Sequence, residues 1–142
     1  MLRDIITGLE TRFLVGLFFS LLFGYLLGTE REYRGKVAGV GTTSFVIGGS
    51  FIFTLASQFL DPSSPARVAS YVVAGVGFIG AGLILKSEGG VIRNLTTAAE
   101  IWFSAAIGMC IGLEWYSLAF IATMFSFIIL KVPHIARRKE YN

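Results

Sequence analysis

Five apolar runs, 13–29, 42–60, 68–85, 96–113 and 115–132, divide the chain, and nearly all its charged residues fall in the short segments between them. Each run holds 17 to 19 residues. At about 1.5 Å per residue, such a helix crosses the roughly 30 Å hydrocarbon core of a bilayer with its ends slightly snorkelled or the local bilayer thinned. A soluble chain of this length spreads charge along every helix, whereas this one is 54% hydrophobic and only 15% charged. The pattern predicts an all-α, polytopic transmembrane protein of five spans, folded as one domain over residues 1–142 with a basic tail at 133–142. The first run ends in Gly28-Thr29-Glu30-Arg31 and lacks a small-residue cleavage site, so it reads as a span and not as a signal peptide.

The connections carry their own signals. Residues 30–41 hold five charges and three glycines, and 61–67 place Ser64 as an N-cap with Pro65 at the first helical position. Gly89-Gly90 marks the third connection. Only Glu114 separates the last two runs, a turn tight enough to fold them into an antiparallel pair. In the five-span arrangement one side collects Arg31, Arg34, Lys36, Lys86, Arg93, Lys131, Arg137, Arg138 and Lys139; the other has Arg3, Arg12 and Arg67. That asymmetry puts the C-terminus in the cytoplasm and the N-terminus outside, with Trp115 and Tyr116 at the outer interface. The net charge of +3 belongs to this topology: no basic stripe interleaved with aromatics suggests nucleic acid.

Seventeen glycines in a helical chain call for compensation, since each costs about 1 kcal/mol in a soluble helix interior. In a bilayer, close helix approach supplies it. Gly24 and Gly28, and Gly108 and Gly112, have the four-residue separation that puts both on one helix face; Gly75, Gly77, Gly80 and Gly82 are denser still. These are expected to pack helices, within the chain or across a homodimer. The Gly75–Gly80 segment matches G-x-G-x-x-G only superficially, being embedded in an apolar run with no strand before it.

An ionisable group inside a span costs roughly 2.5 to 3.5 kcal/mol on insertion scales and is the first place to look for function. Glu100 is that group. It shares a helical face with Thr96, Thr97 and, a turn earlier, Arg93; Glu30, Arg31 and Glu32 reach the same cytoplasmic level. A polar cluster of Glu30, Arg31, Arg93, Thr96, Thr97 and Glu100 is therefore expected. Three readings of Glu100 stand side by side: a carboxylate that snorkels or favours its own helix start, a cation or proton site, and a contact for another protein's basic residue. Asp61 and Arg67 on the outer side form either a loop salt bridge or part of a vestibule. Cys110, alone in an apolar run, and His134, alone in the tail, provide no metal spacing, and no nucleophile–base set is present. The chain is expected to be no enzyme and to carry no cofactor or metal.

Gly28-Thr29-Glu30-Arg31-Glu32, followed by Arg34-Gly35-Lys36 and Gly39, resembles the opening motif of the MgtC/SapB membrane proteins. Asp61-Pro62 with Arg67-Val68-Ala69, then the glycine-rich run from Gly75 to Gly82, is similar to that family's middle motif. Arg93 with Leu95-Thr96-Thr97-Ala98-Ala99 and Trp102 resembles its fourth-span motif, and Ala105-Ala106-Ile107-Gly108 with Gly112 completes it. The resemblance covers roughly residues 15–130. It implies a multi-pass protein of the bacterial inner membrane linked to magnesium limitation. It also implies a regulatory role through other membrane proteins, including restraint of ATP synthase, with Glu30, Arg31, Asp61, Arg93 and Thr96 as the residues carried over. The chain departs from the family's usual residues at Gly41-Thr42-Thr43, Tyr71, Asn94 and Glu100. It looks like the short SapB-type members, which lack a soluble C-terminal domain, or like a piece of a longer member.

Two functions from different classes follow: an interaction protein whose glycine faces form a homodimer and dock other helices, or a small oligomeric transporter or channel for a cation or other solute. A basic Arg137-Arg138-Lys139 tail against anionic headgroups is a third, unspecific possibility.

Overall fold

The computed structural model describes residues 8–60, 62–86 and 92–132. Five helices follow one another: α1 (Gly8–Tyr33), α2 (Val40–Leu60), α3 (Pro65–Leu83), α4 (Leu95–Gly112) and α5 (Tyr116–Lys131). Between α3 and α4 lies a two-residue antiparallel ladder of β1 (Leu85–Lys86) and β2 (Ile92–Arg93), with Leu85 opposite Arg93. Four helices, α1 to α4, are long and apolar enough to cross a membrane; α5 is a shorter apolar helix of sixteen residues.

Helix ends depart from the apolar runs for local reasons. The first helix begins at Gly8 and continues through the charged Glu30-Arg31-Glu32 segment to Tyr33, because polar residues do not stop a helix until a breaker arrives. Gly35, at φ 63°, supplies that break. The third helix ends at Leu83, where Ile84 turns extended. Ser64 stands at the N-cap of α3 with Pro65 behind it, but its hydroxyl makes no capping hydrogen bond. The ladder falls in the segment that the sequence marks only as the third connection.

Small residues determine how the helices pack. The buried positions of α1, Gly16, Ser20, Phe23, Gly24, Leu27, Gly28 and Arg31, form one stripe of helical period. Along it α2 runs antiparallel: a Cβ at Gly16 would strike the Phe51 ring, one at Gly24 would strike Ser44, and one at Gly28 the backbone of Val40. On its other side α2 meets α4 in parallel, where Gly108 lies against Ile47 and Ser50, and Gly112 against Thr54 and Phe51. Phe23, Leu27, Ile47, Phe51, Leu55, Ile107 and Ile111 fill the space between α1, α2 and α4, joined by Ala119 and Leu130 of α5.

In α3, by contrast, only Val72, Val76 and Gly80 are buried along nineteen residues. A Cβ at Gly75, Gly77 or Gly82 would have nothing within 4 Å. The helices alternate in direction, so the end of α1 meets the starts of α2 and α4 and the end of α5. At the opposite end, Arg12 pairs with Glu114, and Gln58 Nε2 donates to the Gly112 carbonyl at 2.8 Å.

Candidate functional site

The end of the bundle that gathers the C-terminus of α1 and the N-terminus of α4 holds a buried polar cluster. Arg31 completes the inward stripe of α1, three residues after Gly28, so helical period carries its guanidinium into the core, and it is 2% exposed. Its Nη2 donates to Thr97 Oγ1 at 2.5 Å. Thr97, Glu100 and Ser104 share one face of α4 at i, i+3 and i+7, and all three are buried. Ser104 Oγ donates to Glu100 Oε1 at 3.0 Å. Arg31 and Glu30 both act electrostatically on the Glu100 carboxyl. Arg31 Nε and Glu100 Oε2 are buried with no hydrogen-bond partner among the described residues. A buried guanidinium and carboxylate, each partly satisfied by a hydroxyl, can hold two helices in register or respond to a charged visitor.

The remaining residues of the expected cluster lie around this centre. Glu30 turns to Arg34, one helical turn on, and forms an ion pair in the favourable acid-before-base order. Thr96 is exposed at the start of α4. Arg93 is not in the cluster: it is exposed on β2, because α4 starts only at Leu95 and Asn94 adopts a left-handed conformation at φ 63°. The helical face that would have joined Arg93 to Thr97 and Glu100 does not extend that far.

Glu32, outside the expected set, accepts a hydrogen bond from the Val40 backbone N–H at 2.9 Å and so caps α2 across the intervening turn. Ser104 was also outside it, and its four-residue spacing from Glu100 was the available signal. Arg67 is exposed near the start of α3; Asp61, and with it any pairing of the two, lies outside the described residues. No group of three or more His, Cys, Asp or Glu among the described residues is placed to hold a metal ion.

Arg31 also lines a cavity of about 310 Å³ at this end, together with Arg34, Lys36, Thr96 and the last residues of α5. A larger apolar groove of about 760 Å³ runs between α2 and α3, past Phe45, Gly49, Phe53, Tyr71, Gly75 and Ile79.

With this geometry established, residues 17–139 match the model of the MgtC family. The chain belongs to the MgtC family. It is 41% identical over 112 residues to Protein MgtC of Salmonella typhimurium strain LT2, an alignment covering 79% of this chain and 48% of the relative. To Protein MgtC of Brucella abortus strain 2308 it is 44% identical over 107 residues, 75% of this chain and 44% of the relative. The chain thus spans about half the length of the curated relatives it matches. No solved structure matches it. Family membership and the four long apolar helices together make it an MgtC-type membrane protein.

Proposed function

We propose that this chain is a five-span protein of the bacterial inner membrane, N-terminus outside and C-terminus cytoplasmic, that works by regulatory contact with other membrane proteins under magnesium limitation. ATP synthase is one such partner, and a second copy of the chain is another. The orientation is supported by the charge at the two bundle ends: Arg31, Arg34 and Lys36 lie at one, Arg12 and Arg67 at the other.

The observation that carries the reading is the apolar edge made by α2 and α3. Its groove is almost wholly apolar, and Gly75 borders it with open space where a Cβ would stand. Glycines that cost helix stability without intrachain packing suit the approach of another helix. A second reading, a small oligomeric transporter for a cation, draws on the buried Glu100 Oε2, which has no hydrogen-bond partner among the described residues. Against it, Glu100 lines none of the three principal cavities.

One experiment separates the two. In a Cys110→Ala background, Gly75→Cys is oxidised in native membranes, while the same protein in proteoliposomes is assayed for divalent-cation and proton flux. The regulatory reading expects a disulfide-linked dimer or a cross-link to a membrane partner, flux no greater than in empty liposomes, and altered ATP synthase activity in vesicles from magnesium-starved cells. Flux that disappears in Glu100→Gln would replace it with the transport reading.

A further inference from the structure

The 310 Å³ cavity at the Arg31 end has a composition that the interaction reading does not use. Three cations, Arg31, Arg34 and Lys36, line it with the hydroxyl-bearing Thr96, and no acidic side chain does. Of the acids nearby, Glu32 Oε1 accepts from the Val40 N–H, while Glu30 pairs with Arg34 of the lining itself and offsets one of its three charges. Arg31 is almost wholly buried, and its Nε has no partner among the described residues.

Two further features favour an anion. Thr96 belongs to the first turn of α4, where the backbone N–H groups lack intrahelical acceptors and the helix dipole is positive. The N-cap does not neutralise that end, since Asn94 makes no capping bond and its Nδ2 donates instead to the Leu83 carbonyl at 3.2 Å. The opposite wall is aliphatic, with Ile129 and Val132 at the end of α5, where the chain leaves its apolar run. At roughly 30 Å³ per water the space has room for about ten waters, enough for a phosphate with adjoining glycerol carbons.

We infer that this cavity is a phosphate-recognition site. Arg31, Arg34 and Lys36 neutralise the anion, and Thr96 with the first turn of α4 donates hydrogen bonds to its oxygens. The same chemistry is offered by the headgroup of an acidic phospholipid and by phosphate free in solution. An apolar wall beside basic groups at a span end is the arrangement by which membrane proteins hold anionic lipid headgroups. The site does not depend on the proposed regulatory function, and either can fail alone.

The test uses the full chain purified in detergent and stripped of lipid. Binding of phosphatidylglycerol and of phosphatidylethanolamine is counted by native mass spectrometry, and binding of radiolabelled inorganic phosphate by equilibrium dialysis. Arg34→Gln/Lys36→Gln removes two exposed charges from the site; Arg12→Gln/Arg67→Gln removes two from the opposite end as a matched control. The inference expects at least a tenfold preference for phosphatidylglycerol over phosphatidylethanolamine, reduced at least tenfold by the first pair and unaltered by the control.

Phosphate binding with that residue dependence, without lipid preference, assigns the site to a soluble phosphate and also supports it. Absence of both, or equal effects of the two pairs, overturns the inference. Unfolding curves on each variant separate lost binding from lost fold.

Discussion

At Arg31 a guanidinium lies in an apolar interior because the helix that carries it does not stop where its hydrophobic run stops. Three residues beyond Gly28, the inward stripe of α1 reaches a charged position and buries it against Thr97. Removing one partner of a buried hydrogen bond costs about 1–3 kcal/mol, because the other is left unsatisfied, whereas replacing both with apolar groups can cost little. Arg31→Ala is therefore expected to lower unfolding stability in micelles by about 1–3 kcal/mol, and Arg31→Met/Thr97→Val to recover most of it. A loss below about 1 kcal/mol for the single variant would mean that Thr97 does not rely on Arg31. Glu100 was legible as an acid inside an apolar run, and Arg31 as a charge at the same depth. Arg93 was misplaced by extending helical period past Asn94, whose left-handed backbone resets the direction of the chain. Nothing in local pattern marks Glu32 as a cap for Val40, because the seven residues between them form a turn whose shape is decided by packing.

Among the helices, α2 and α4 depend on contact at backbone distance. A Cβ at Gly108 would collide with the Ile47 carbonyl oxygen, which belongs to a helix and cannot swing aside. Gly108→Ala is accordingly expected to cost about 1–3 kcal/mol by overpacking. Gly75→Ala, with open space around it, is expected to leave the monomer unchanged or to stabilise it by up to about 1 kcal/mol through helix propensity. Equal losses at both positions in the same unfolding assay would contradict the packing described. The existence of each helix was readable from run length and charge punctuation. Which glycines meet a neighbour was not, because Gly75, Gly77 and Gly82 have the same sequence character as Gly24 and Gly108 and differ only in what stands opposite them. The β1–β2 hairpin escaped notice because its two-residue strands are too short to show alternation.

For the whole molecule, alternating helices and unequal charge make one orientation testable in living cells. With Cys110 replaced by alanine, Ser64→Cys should react with an impermeant maleimide from outside, and Lys36→Cys only after permeabilisation. The reverse pattern would invert the topology and put the phosphate site on the other face.

The edge position of α3 bears also on the order in which the protein is made. Ribosomes deliver α3 before α4, yet Gly80 of α3 rests on Ala98 of α4, and α4 takes the place beside α2. During synthesis the α1–α2 hairpin can close at once. The third helix can touch α2 at once, but its larger contact, with α4, has to wait for the fourth helix. Until then the face of α3 that carries Gly80 has no partner of its own chain to rest on.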